Sequence, residues 1–92
     1  MRLVVDVAAW DDLNHIGAWI GKDNPRAARA VLESILQTIK QLQAFPGLSR
    51  SGRAHGTFER VVSGTPYIIV FELRKEPAAV VIVAVAHGAQ NR

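Results

Sequence analysis

Apolar residues at Trp10, Leu13, Ile16 and Ile20 are separated by Asp11, Asp12, Asn14 and His15. This three-to-four-residue spacing predicts a helix with one packed face. The two aspartates suit its first turn, where the helix dipole favours negative charge. Trp10 is expected in the core, Trp19 lies off the main stripe, and Gly21 ends the helix. A second stripe runs through Ala28, Val31, Leu32, Ile35, Ile39 and Leu42. Asn24 is placed as its N-cap, Pro25 as its first residue, and the "FPG" at 45–47 as its stop. Two helices joined by a short polar turn form an antiparallel α-hairpin.

The period differs on either side of this pair. "RLVVDV" at 2–7 alternates loosely and is rich in β-branched residues, which predicts a strand. From Thr57 onward, "TFERVV", "YIIVFEL" and "AVVIVAVA" predict three more strands, with turns at "SGTP" and "RKEP". Pro66 and Pro77 stand at strand starts, where a missing N–H is tolerated. The expected fold class is α+β. It is a two-layer β-α-α-β-β-β arrangement, with the α-hairpin packed on a mostly antiparallel sheet.

Composition narrows the setting. A chain of 92 residues that is 49% hydrophobic is expected to form a single domain, residues 1–92, around one core. The absence of cysteine excludes disulfides and thiolate metal sites. Asp6 interrupts the short apolar run after Arg2, so no signal peptide is expected. No apolar stretch reaches membrane-spanning length, and a cytoplasmic protein is expected. Net charge is +3. Residues 1–46 carry five basic and five acidic side chains, whereas residues 47–92 carry six and three, so the whole excess lies in the second half. Such a half suits an anionic partner, nucleic acid or acidic protein, or is simply a solvated basic face.

Candidate chemistry concentrates in "SRSGRAHGTFER", residues 49–60. Arg50, Arg53 and Arg60 carry guanidinium forks suited to phosphate or carboxylate. The segment is either a mobile basic loop or a place where an anionic partner is met. Glu59 and Arg60 are neighbours, so on a strand they face opposite sides. His87 ends the last strand, as a titratable donor or as a histidine hydrogen-bonded at the sheet edge. His15 lies on the polar side of the first helix, and His55 lies in the loop. No two histidines have metal-ligand spacing, and there is no P-loop or dinucleotide fingerprint, so no metal and no cofactor are expected. Serines 49, 51 and 63 belong to no hydrolase motif.

"DLNHIGAWIGKDNPRAARAVLESI", "GRAHGTFERVVSGTPYIIVFEL" and "VAHGAQNR" together resemble the RelE/ParE superfamily of type II toxin–antitoxin toxins, nearer the ParE-like branch often called plasmid stabilisation proteins. The resemblance implies that the first strand lies beside the last. It also implies a cognate antitoxin whose disordered segment folds on the toxin, giving a hetero-oligomer that meets operator DNA only through the complex. A ParE-like toxin poisons DNA gyrase. A RelE-like one is an endoribonuclease that cuts mRNA on the ribosome. A degenerate member would act only as antitoxin partner. For RNA cleavage the catalytic candidates are Arg53, Arg60, Glu59 and His87. An effector surface would comprise Arg50, Arg53, Arg60, His87 and Arg92, and antitoxin contacts are assigned to Trp19 and Tyr67. Related sequences commonly carry "GTRE" where this chain has "GTFE", which makes Phe58 the departure.

Overall fold

The computed structural model describes residues 1–88. Its elements are β1 (Arg2–Val5), α1 (Val7–Gly21), α2 (Pro25–Ala44), a 3-10 turn (Pro46–Leu48), β2 (Arg50–Ser51), β3 (Thr57–Val61), β4 (Tyr67–Lys75) and β5 (Ala78–His87). The strands form one sheet in the order β1-β5-β4-β3-β2. β1 lies beside β5, as the resemblance implied, and runs parallel to it, while β2–β3, β3–β4 and β4–β5 pair antiparallel. Both helices pack on one face, giving the expected two-layer α+β arrangement. The short β2 was not expected. It forms inside the basic segment because Arg50 and Ser51 pair with Glu59 and Phe58.

α2 begins as its sequence indicates. The Asn24 side chain accepts from the Ala27 N–H at 3.0 Å, and Pro25 follows in the first turn. α1 begins earlier than its apolar spacing suggests. Asp6 is its N-cap, with a side-chain oxygen accepting from the Ala8 N–H at 3.2 Å. Asp11 and Asp12 therefore lie beyond the first turn. The buried face of α1 is Ala9, Leu13 and Ile16, while Trp10 is 51% exposed and stands outside the core. The small Ala9 occupies the inward position one turn before Leu13 and turns Trp10 to the flank.

The core lies between the hairpin and one sheet face. Tyr67, Ile69 and Phe71 of β4 and Val80, Ile82 and Val85 of β5 meet Leu13 and Ile16 of α1 and Ile35, Ile39 and Leu42 of α2. Ile68, Ala79 and Val81 are also buried, but outside this cluster, on the opposite face. Alternation along β5 breaks once. Val70 pairs with Ala84 and Phe71 with Ile82, so Val83 is an extra residue. This bulge turns the following part of β5 by one position, placing Val85 and His87 opposite Ile69 and Tyr67 on the helix side.

Candidate functional site

The basic segment closes on itself through backbone bonds. The Gly52 N–H donates to the Thr57 carbonyl at 2.8 Å, and Thr57 donates to the Ala54 carbonyl through its N–H and its hydroxyl. A Cβ at Gly52 would fall on the Thr57 hydroxyl, so this approach requires glycine. His55 is exposed in this turn. Arg50 lies opposite Glu59, and their side chains form an ion pair at 3.3 Å. Arg50, Arg53 and Glu59, with Ile68 and Gly88, line a cleft of about 290 Å³ on the face away from the helices.

Arg60 points the other way. It lies opposite Ile69, on the helix side of β3, and is half-buried. Its Nε donates to the Ser49 hydroxyl and its Nη2 to the Phe45 carbonyl, both at 3.1 Å. The guanidinium thus ties β3 to the end of α2 and to the turn that follows it. Phe58 shares this face and packs on Phe71, with ring centroids 5.8 Å apart. The residue that departs from the resembling sequences serves the margin of the core.

A second cleft, of about 330 Å³, lies where the second half of α1 overhangs the start of β4 and the end of β5. Asp12, His15 and Trp19 come from α1, Tyr67 from β4, and Val85 and His87 from β5. Asp12 Oδ2 accepts the Val85 N–H at 2.9 Å. β1 has already ended beside Ile82, so this part of β5 has no strand on that side among the described residues, and the carboxylate takes a strand's place. The Tyr67 and His87 rings meet edge to face at 5.5 Å. Trp19 is 71% exposed, with the Lys22 ammonium 5.5 Å from the centre of its ring.

A third feature is an apolar groove of about 480 Å³ along the hairpin, lined in part by Leu13, Gly17, Ala28, Leu32 and Leu36. A Cβ on Gly17 would come within 3.2 Å of Leu32 Cδ1, so glycine here lets the helices approach closely. Leu36 is exposed in this groove, and Trp10 is exposed on α1.

The family model of the ParE toxin of type II toxin–antitoxin systems, parDE, matches residues 3–92. The chain belongs to the ParE toxin family. It is 37% identical over 79 residues to "Putative toxin Y4kP" of Sinorhizobium fredii (strain NBRC 101917 / NGR234), covering 86% of this chain and 79% of that protein. The fold is that of a chain in the chromosomal ParDE system of P. aeruginosa, with a TM-score of 0.84, 18% identity and 95% of each chain covered. It is also similar to a chain of the RelBE2 toxin–antitoxin complex of Mycobacterium tuberculosis, with a TM-score of 0.62, 27% identity and 94% and 88% covered. The isolated RelE toxin of E. coli matches at a TM-score of 0.69 with 14% identity, covering 94% of this chain and 82% of that one.

In this ParE-family chain the candidates named from sequence fall into two groups. Arg50, Arg53 and Glu59 share the open-face cleft. Arg60 is engaged on the helix side, and His87 lines the second cleft together with Trp19 and Tyr67. Arg92 lies outside the described residues. Asp12 and His15 were read from sequence only as part of the polar side of α1. Their common face with Trp19, at spacings of three and four, was the available signal. Among the described residues no group of three or more His, Cys, Asp or Glu side chains could hold a metal ion. Among the described residues no helix is long and apolar enough to cross a membrane.

Proposed function

We propose that this chain is a ParE-type toxin that inhibits DNA gyrase and is neutralised by a cognate antitoxin, in a module of the plasmid-stabilisation kind. The observation that carries the reading is the division of the candidate residues between two faces of the sheet. Metal-free RNA cleavage needs a base, cations for the developing phosphorane charge and an acid around one phosphate. Glu59, Arg50 and Arg53 lie on the open face, whereas Arg60 and His87 lie on the helix side. Arg50 is moreover paired with Glu59, and Arg74 on β4 with Glu72 at 3.4 Å, so part of the charge on these strands is already matched. The effector surface we propose centres on Arg50 and Arg53.

The hairpin groove supports an antitoxin partner. An apolar groove lined by Leu13, Leu32 and the exposed Leu36 suits an amphipathic helix that folds as it binds. The complex is then a hetero-oligomer that reaches operator DNA through the antitoxin.

Induced expression with separate readouts of DNA replication and translation tests the target. Filamentation and a DNA-damage response are expected, with translation continuing. An immediate halt of translation accompanied by codon-positioned mRNA cuts overturns gyrase in favour of the ribosome. The Arg50→Ala/Arg53→Ala variant is expected to be less toxic at equal expression and unchanged in its folded spectrum. Undiminished toxicity removes the open-face cleft as the effector surface.

A further inference from the structure

We propose that the cleft between α1 and the ends of β4 and β5 is a cation cage that takes an arginine side chain from the antitoxin. The partner's identity rests on the toxin–antitoxin reading, but the chemistry of the cleft does not. Three features define that chemistry.

The first is aromatic walls. Trp19, Tyr67, His15 and His87, with Ile16 and Val85, line an open cleft of about 330 Å³, and the Tyr67 and His87 rings stand at 83° to each other. The indole of Trp19 and the phenol ring of Tyr67 present faces of negative potential, which attract organic cations.

The second is charge. Among the described residues, Asp12 lines the cleft and no lysine or arginine does. On a chain of net charge +3, this makes the cleft a local attractor for a cation. Asp12 Oδ2 is held by the Val85 N–H, which fixes the carboxylate in place. A carboxylate has about four acceptor positions, so this one keeps capacity for a guanidinium.

The third is Trp19 itself. The residue is 71% exposed, and the Lys22 ammonium lies 5.5 Å from the centre of its ring. A cation therefore already sits against this ring. A planar guanidinium can stack on an indole while its edge forms a bidentate pair with a carboxylate, a geometry that a compact ammonium does not offer. This favours arginine over lysine as the occupant.

N-acetyl-arginine amide, titrated into the purified toxin, is the direct probe. NMR signals of the Trp19 indole N–H and of the His15 and His87 rings are expected to shift saturably, and those of His55 are not. Asp12→Asn keeps an oxygen for the Val85 N–H, so it should fold while losing most of this binding. Trp19→Leu should lose it as well. The proposal is overturned by no saturable shift, by equal binding of the norleucine analogue, or by undiminished binding in Asp12→Asn. Tighter binding of guanosine monophosphate at the same signals overturns it in favour of a nucleobase site.

Binding of the purified antitoxin should be about tenfold weaker to Asp12→Asn and Trp19→Leu. Unchanged antitoxin affinity beside intact probe binding overturns the antitoxin as partner. None of these measurements depends on toxicity. Failure of the gyrase reading in the expression experiment is thus distinguishable from failure of the cage.

Discussion

Asp12 holds a position that its neighbours in sequence do not explain. It follows Asp11 on a helix, yet its carboxylate closes an open strand edge through the Val85 N–H. Replacing it with alanine leaves a part-buried donor without its partner, which costs about 1–3 kcal/mol. Asp12→Ala is therefore expected to lower the urea midpoint, and Asp12→Asn to lower it less, because the amide oxygen can accept the same bond. Arg60 shows the same dependence on context. Its bonds to Ser49 and Phe45 hold the turn after α2. In Arg60→Ala, hydrogen exchange should quicken in residues 45–51 while β4 and β5 keep their protection. Equal protection throughout would show that the guanidinium adds nothing to the turn.

At the scale of elements, caps and registers decide more than propensity does. α2 starts where its cap and proline indicate, and Asn24→Ala should cost about 1 kcal/mol by removing an acceptor for the Ala27 N–H. Chemical denaturation monitored by circular dichroism checks this value. α1 was legible from its 3.6-residue period, and β4 and β5 from short continuous apolar runs rich in β-branched residues, both local properties of a sequence. The start of α1 was displaced because the cap at Asp6 counts for more than the spacing of apolar residues. Two elements were not legible at all. β2 exists only through its pairing with β3, and the bulge at Val83 exists only in the register of β5 against β4. The candidate site suffered most from this, because the bulge determines that His87 faces α1 and shares a cleft with Trp19 and Tyr67.

At the scale of the whole molecule, one core supports the clefts. Phe71 is fully buried at its centre and also carries Phe58 at its margin. Phe71→Ala is expected to cost about 3–5 kcal/mol, a large share of the roughly 5–15 kcal/mol that stabilises a typical small domain. Thermal unfolding should show a far lower midpoint for this variant. On the proposed function, saturating antitoxin should restore part of the loss by mass action. If antitoxin left the midpoint unchanged, it would not be binding the folded state.

The sequence by itself determined the helical pair, the strongly apolar strands, the excess of basic charge in the second half and the family. Each of these depends on residue type and on spacing along a short stretch. The tertiary structure alone decided which chemical groups meet. It placed Arg53 and Arg60 on opposite sides of the sheet, brought Asp12 to a strand edge beyond the end of β1, and assembled the cleft around Trp19. These meetings follow from strand register, from one extra residue in β5 and from the length of a neighbouring strand. All three are set by contacts between segments far apart in the chain, so periodicity within any one segment carries no record of them.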